Sequence, residues 1–284
     1  MKPLNSVVIC GVGLIGGSVG MAVRKRGLAQ EVIGVGRSQA SLERAVELGA
    51  LDRGCLDLEA AVGSADLVLV ATPVDQIVSH IGRIRNACPD SCLVTDAGST
   101  KSRIVRQVEA DGMTGTTRGG YIGSHPLAGS EQSGVDAASA DLFSGRSVIL
   151  TPLPDSPLDQ IQTLQQFWEG LGAQVGCMPP EEHDEALAQT SHMPHAVASA
   201  LAASTPDEWL PLTATGWRDA TRIASGDVEL WVEILMQNRD DVLVALQRFK
   251  KELTDLEHAI TDSDESRLSQ LLTTGKQRRD SVGN

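Results

Sequence analysis

Residues 7–20 read VVICGVGLIGGSVG, and this stretch decides the fold of the first part of the chain. A valine-rich run predicts a strand, and the glycines then lead into a run of helix formers. In such a GxGxxG pattern the first glycine makes a tight turn, the second admits a pyrophosphate and the third lets helix and strand pack closely. A tight structural turn is the alternative. We predict a dinucleotide site at the start of this helix, formed by Gly11, Gly13, Leu14, Ile15 and Gly16.

Short apolar runs alternate with amphipathic stretches after this motif. The run LVLVA at residues 67–71 is typical of a strand buried on both faces. We predict strands at residues 7–10, 31–35, 67–71, 92–95, 121–123, 146–150 and 173–177, with helices between them. This alternation predicts an α/β fold with a Rossmann-type, doubly wound parallel sheet.

The predicted strands stop at the Pro-Pro pair of residues 179–180. Residues 181–203, 228–262 and 265–279 are all expected to be helical. The second of these stretches is too long for one ordinary globular helix, so we expect breaks and packing against a partner subunit. The chain is thus divided into a dinucleotide-binding domain, residues 1–179, and an all-helical substrate and dimerisation domain, residues 180–284.

The overall composition excludes several classes of partner. The 284 residues carry a net charge of −13, from 37 acidic and 24 basic side chains, so a uniformly basic nucleic-acid surface is excluded. Aromatic residues make up only 3%, too few for base stacking. No apolar run has the length and character of a membrane span. The five cysteines include no CxxC pair, which favours a reducing cytoplasm. We predict no nucleic-acid or membrane partner.

The end of the second predicted strand bears on the choice of cofactor. An NAD site usually has an acidic residue there for the ribose hydroxyls, but residues 34–38 read GVGRS. Arg37 and Ser38, with Ser41 nearby, can instead bind a 2′-phosphate. A solvated loop is the alternative for Arg37. The sequence therefore predicts NADP as the preferred cofactor, with NAD as the alternative.

Ligands of open α/β sheets lie beyond the carboxyl ends of the strands. Those ends read ATP at residues 71–73, DAGSTK at 96–101 and GSHPLAG at 123–129. Thr72 and Pro73 are expected at the cofactor. His125 is the natural proton acceptor because imidazole titrates near neutrality, and Ser99 can orient it or bind a substrate hydroxyl. Loop capping is the alternative role for each side chain taken singly.

Five segments in order along the chain carry a family resemblance. They are GVGLIGGS, DAGSTKS, GSHPLAGSEQSG, SHMPHAVASAL at residues 191–201 and TGWRDATRIASGDVELW at residues 215–231. Together they resemble the prephenate/arogenate dehydrogenases of tyrosine biosynthesis over nearly the whole chain. The resemblance implies oxidation of a cyclohexadienol by hydride transfer to NAD(P), with loss of the ring carboxylate as CO2. The product is 4-hydroxyphenylpyruvate from prephenate or tyrosine from arogenate, and the sequence leaves these two substrates open.

The resemblance also implies roles for individual residues. His125 matches the family's proton acceptor, and Ser99 matches a serine that positions the hydroxyl and the nicotinamide. Arg222 matches the arginine that binds a substrate carboxylate. Arg218 lies four residues earlier on the same helical face, so both arginines can approach one substrate anion, although Arg218 can instead pair with Asp219 or Asp184. Gly216 belongs to the same motif, in which Trp217 replaces the usual phenylalanine.

The helical part supplies the remaining candidates. His195 and, less directly, His192 match histidines that face the substrate side chain. Ser191 lies four residues before His195, and Trp231 matches a tryptophan that lines the substrate pocket. Pro194 should disturb this helix near the histidines. The HxxH spacing can suit a metal pair, but no third ligand with suitable spacing is evident, so no metal is predicted.

Two alternatives come from other protein classes. One is another Rossmann-plus-helical enzyme, such as a β-hydroxyacid dehydrogenase or an imine reductase. The other is a non-catalytic NADP-binding sensor, which would have no use for His125, Ser99 and Arg222 together. We favour a cytoplasmic, homodimeric dehydrogenase with its active site between the two domains.

Overall fold

The computed structural model describes residues 2–113, 120–129 and 132–283. Its first part contains a six-stranded parallel sheet with the strand order β3-β2-β1-β4-β5-β6. The strands are β1 (Leu4–Cys10), β2 (Ala29–Val35), β3 (Arg53–Cys55), β4 (Leu67–Val70), β5 (Leu93–Asp96) and β6 (Gly120–Tyr121). The intervening helices are α1 (Leu14–Arg26), α2 (Gln39–Glu47), α3 (Leu58–Val62), α4 (Val74–Ala87) and α5 (Ser102–Ala110). The predicted Rossmann-type sheet is therefore confirmed, with β3 as an additional short edge strand.

A second, smaller sheet follows the first. It contains β7 (Gly123–Pro126), β8 (Ser147–Thr151) and β9 (Gln174–Cys177), and helix α6 (Leu158–Gly170) precedes β9. Strand β7 pairs antiparallel with β8, which pairs parallel with β9. The structure differs here from the expectation of a single sheet. Only Ile122 separates β6 from β7, so the chain leaves the parallel sheet there and begins a separate one.

The core lies on both faces of the large sheet, because successive residues of a strand point to opposite sides. Val7 and Ile9 of β1 pack into the cluster that includes α1, whereas Val8 and Cys10 pack into the cluster that includes α4. All four residues of β4 are buried, as expected for a central parallel strand. The two faces together hold the carboxyl ends of β1, β4 and β5 in place.

The helical segment up to Asn238 completes the first compact unit of the chain. It contains α7 (Pro180–Leu187), a π-helical turn (Ala188–His192), α8 (Met193–Ala203), α9 (Thr215–Thr221), a 3-10 turn (Arg222–Ser225) and α10 (Val228–Gln237). Pro194 lies in the first turn of α8, directly after the π-helical turn. Proline has no N–H for the helix ladder, so the disturbance predicted at Pro194 is found at this turn.

The second compact unit begins at Arg239 and consists of α11 (Arg239–Thr261) and α12 (Glu265–Ser281). The break at Asn238 confirms that residues 228–262 do not form one helix. Asp264 caps α12 by accepting a hydrogen bond from the backbone N–H of Arg267 (2.9 Å). None of the described helices combines the length and the apolar character needed to cross a membrane.

Candidate active site

The GxGxxG turn has the geometry that a close-fitting nucleotide loop requires. Gly11 has a φ of +95°, and a Cβ there would lie 2.6 Å from the carbonyl oxygen of Ala71. A Cβ at Gly16 would lie 2.0 Å from the carbonyl oxygen of Gly11. The space around Gly13 is open, with no atom within 4 Å of a Cβ at this position. The turn is thus closed towards the protein and open where a pyrophosphate would approach, which fits a dinucleotide.

A cavity of about 610 Å³ lies beside this turn. It brings together seven of the predicted cofactor residues, namely Gly11, Gly13, Arg37, Ser38, Ser41, Thr72 and Pro73. Leu14, Ile15 and Gly16 form the first turn of α1 and do not line it. The sequence analysis missed His80 and Arg83, which line it from α4. Arg83 pairs with both carboxylate oxygens of Glu59 (2.8 and 2.9 Å), whereas Arg37 has no ion-pair partner in the described part of the chain.

The proton acceptor predicted from the sequence, His125, belongs to a buried chain of three side chains. Its Nδ1 lies 2.9 Å from Nε2 of His183, and His183 Nδ1 lies 2.7 Å from Oδ1 of Asp184. A carboxylate can only accept, so His183 carries a proton on Nδ1, and with this single proton on its ring it accepts through Nε2. His125 must then donate from Nδ1. This leaves Nε2 of His125 as an unprotonated, basic nitrogen.

The electrostatics of the chain agree with this assignment of protons. Burial, the neighbouring His183 and the nearby Lys101 hold the pKa of His125 well below its ordinary value, so the ring is neutral at pH 7. Burial raises the pKa of Asp184, but hydrogen bonds from His183 and from the backbone N–H groups of Lys101 and Ser102 outweigh it and lower the pKa overall. An ionised Asp184 and a neutral His125 therefore coexist.

Ser99 is held beside this chain by a buried ion pair. The ammonium of Lys101 contacts the carboxylate of Asp96, and both side chains are fully buried. Asp96 also accepts hydrogen bonds from the hydroxyl of Tyr121 (2.8 Å) and from the backbone of Gly98 (2.8 Å). These contacts fix the loop between β5 and α5 that carries Ser99. Lys101 forms this buried ion pair and does not line the cavity that contains Ser99.

That second cavity has a volume of about 500 Å³. Six predicted residues line it, namely Ser99, His125, Ser191, His192, Arg222 and Trp231. His195 stacks on the indole of Trp231, with ring centroids 3.6 Å apart and planes at 12°. Neither Gly216 nor Arg218 lines the cavity. Arg218 is exposed, and in the described chain it pairs with neither Asp219 nor Asp184.

His192 is fixed in one tautomer by Asn238. The side-chain nitrogen of Asn238 lies 2.7 Å from the carbonyl oxygen of Asp184, which can only accept, so this atom is the amide NH2 group. The same nitrogen lies 3.1 Å from Nδ1 of His192, which must therefore accept. Burial lowers the pKa of His192 to about 4, so the ring is neutral and carries its proton on Nε2.

No sequence pattern predicts a role for His183 or Asn238, and Asp184 is expected from the sequence only as a partner of Arg218. The dipeptide at positions 183–184 stands within an acidic helical stretch, where its pattern resembles a solvated face. Asn238 stands at the end of a helix, where a cap is the ordinary reading. Within the GSHPLAGSEQSG motif, Ser130 and Glu131 lie outside the described residues.

Comparisons with known proteins agree with this geometry. The prephenate dehydrogenase nucleotide-binding domain matches residues 19–177, and the prephenate dehydrogenase dimerization domain matches residues 179–274. Prephenate dehydrogenase of Bacillus subtilis is 32% identical over 98% of this chain and 76% of its own length. These matches account for both the Rossmann part and the helical part.

Solved structures give the same assignment. The chain superposes with a TM-score of 0.89 on prephenate dehydrogenase from Aquifex aeolicus in complex with hydroxyphenyl propionate and NAD+, at 31% identity and over 98% of both chains. Synechocystis arogenate dehydrogenase gives a TM-score of 0.83 at 30% identity, over 98% of this chain and 99% of that one. The alternative enzyme classes and the non-catalytic sensor are not favoured. The chain belongs to the prephenate dehydrogenase family and is an NAD(P)-dependent dehydrogenase.

Proposed function

We propose that this chain oxidatively decarboxylates prephenate with NADP as the hydride acceptor. The observation that carries the proposal is the buried His125–His183–Asp184 chain at the edge of the cavity that also holds Ser99 and Arg222. Nε2 of His125 takes the proton of the substrate hydroxyl, and Ser99 orients that hydroxyl. The bound nicotinamide supplies the hydride acceptor. The ring carboxylate leaves as CO2 because the ring becomes aromatic.

The substrate cavity is suited to a carboxylate. Arg222 supplies a guanidinium for a carboxylate, and no aspartate or glutamate is among the described residues that line the cavity. Arogenate carries an ammonium group where prephenate carries a ketone. A buried ammonium without an acidic partner is costly, whereas a ketone can accept from the Nε2–H of His192. These features favour prephenate over arogenate.

The choice of NADP rests on the cations of the cofactor cavity. Arg37 and Arg83 line it, and the described lining residues include no acid for the ribose hydroxyls. Arg37 has no carboxylate partner in the described part of the chain, so its guanidinium is available for a 2′-phosphate. Ser38 and Ser41 can add hydroxyl donors to the same phosphate.

We further propose a cytoplasmic homodimer formed through the C-terminal helices. The match to a dimerization domain supports the dimer, as do exposed apolar side chains on α11 and α12: Leu243, Val244, Leu253, Ile260 and Leu272. All five cysteines are free, in keeping with a reducing compartment. The proposed division into domains at residues 179–180 is supported by the two matched domains, one of which ends at residue 177 and the other begins at residue 179.

One set of steady-state assays tests the proposal. Initial rates are measured with prephenate and with arogenate, each with NADP and with NAD, for the wild type and for His125→Asn. We expect the highest kcat/KM for prephenate with NADP. Loss of the general base should lower kcat by about 10²–10⁴-fold, while NADPH binding stays intact. Undiminished turnover in His125→Asn would refute the catalytic assignment, and preference for arogenate or NAD would refute the corresponding specificity.

A further inference from the structure

Helix α10 is hydrogen-bonded at its middle to the nucleotide-binding part of the chain, and the residue that follows it is hydrogen-bonded to Asp184 and His192. The carboxylate of Glu233 accepts from the backbone N–H of Val74 (3.1 Å). Asn238, the residue after α10, donates to the carbonyl oxygen of Asp184 and to His192. The helix therefore connects the start of α4 with the residues around His125.

The start of α4 needs a cap from elsewhere in the fold. The residue before the helix is Pro73, which has no side-chain acceptor, and no local side chain caps this end. The first N–H groups of a helix have no partner within the helix, and they attract negative charge. Glu233, 159 residues away in the sequence, supplies the acceptor, and its charge adds to that of Asp75 in the first turn of α4.

This cap joins elements of both cavities. Thr72 and Pro73, directly before α4, line the cofactor cavity. Trp231 and Ile234, on either side of Glu233 in α10, line the substrate cavity. Since α4 and α10 are each regular helices, a shift at one end of the Glu233 contact displaces residues at both cavities. The contact is in the right place to transmit binding from one cavity to the other.

We propose that Glu233 is a positioning residue that couples cofactor binding to substrate binding by holding α10 against the start of α4. The inference rests on the proposed function, because it takes the cavity beside α10 to be the substrate site. When the cofactor orders residues 72–75, the contact holds α10 and Trp231 in the position that receives the substrate. By reciprocity, a ligand in the substrate cavity increases the affinity for the cofactor.

The test measures this coupling directly. The dissociation constant of NADPH is determined by its fluorescence, without and with saturating hydroxyphenyl propionate, the ligand bound in the Aquifex aeolicus relative. We expect the acid to tighten NADPH in the wild type by at least about 5-fold, the lower end of common allosteric coupling. In Glu233→Ala the coupling ratio, which is the dissociation constant of NADPH without the acid divided by that with the acid, should be close to one. Glu233→Gln should keep part of it, because the amide oxygen still accepts one N–H.

Glu229→Ala is the matched control, since Glu229 is an exposed acid one turn earlier on α10. It should leave the coupling ratio unchanged. The proposal is overturned if Glu233→Ala weakens both ligands but keeps their ratio, if the control loses the ratio equally, or if the wild type shows no coupling. Turnover of prephenate is measured on the same preparation. Coupling without turnover would count against the proposed function and leave the role of Glu233 standing.

Discussion

Replacing His183 tests whether His125 owes its basic nitrogen to the side chains behind it. In His183→Asn the amide nitrogen can take the place of Nδ1 and keep the bond to Asp184, but nothing reaches Nδ1 of His125. In His183→Gln the amide oxygen can take the place of Nε2 and accept from His125. The two variants therefore separate the acceptor for His125 from the bond to Asp184.

The size of the effect follows from the burial of the pair. A buried N–H without an acceptor costs about 1–3 kcal/mol. If that cost falls on the productive tautomer of His125, kcat decreases by about 5–150-fold, since 1.36 kcal/mol corresponds to tenfold. His183→Asn should show this loss, and His183→Gln should keep a kcat close to that of the wild type. The dissociation constant of NADPH should not change in either variant.

The pH dependence gives a second measurement with a definite sign. Burial first, then His183 and Lys101, lower the pKa of His125. On acidification a protonated His183 repels a proton on His125, so removal of its imidazole takes away one of these causes and the pKa of His125 rises. His125 acts as a base only when neutral, hence the acid limb of the kcat/KM profile should move to higher pH in His183→Asn. Equal kcat in both variants and the wild type, with an unmoved acid limb, would refute the proposed chain.

Three further substitutions test other parts of the site. Arg37→Ala should raise KM for NADP by about 10-fold or more with little change for NAD, because a charged hydrogen bond contributes about 1.5–3 kcal/mol; equal effects on both cofactors would contradict the 2′-phosphate role. Arg222→Ala should raise KM for prephenate far more than for NADP in the same assays, and a parallel rise would argue against carboxylate binding. Lys101→Met leaves the carboxylate of Asp96 buried without its cation, so denaturant titration should show a loss of about 3–5 kcal/mol in the free energy of unfolding; an unchanged value would contradict the buried ion pair.

The parts of the fold that could be predicted from the sequence depend on local contacts. The GxGxxG turn is predictable because its motif occupies six consecutive residues and a Cβ at Gly16 would clash with Gly11 within the same motif. The burial of strand β4 can be predicted from its own composition, because all four of its residues are apolar. The position of β7 could not be predicted in this way. The chain leaves the parallel sheet after Ile122, and no local sequence pattern indicates that β7 pairs antiparallel with β8.

The residues that complete the site escaped prediction because their partners are far away in sequence. His125 and His183 are separated by 58 residues, and the backbone of Lys101 meets Asp184 across 83. Sequence periodicity can tell which face of α7 is buried, but it cannot tell which side chain that face meets. The proton assignment of His125 depends on its contact with His183 of α7, so it follows from the structure alone.

The two arginines of the GWRDATR motif show how a spacing rule can fail. Residues four apart share a face only if the helix continues through both. Here α9 ends at Thr221, and Arg222 begins a 3-10 turn, so the two side chains do not follow one helical surface. Arg222 lines the substrate cavity, whereas Arg218 does not. A substrate with two carboxylates therefore meets one guanidinium in the described cavity, and Arg222→Ala should be much more harmful to prephenate binding than Arg218→Ala. Equal rises in the KM for prephenate in the two variants would show that Arg218 also binds the substrate.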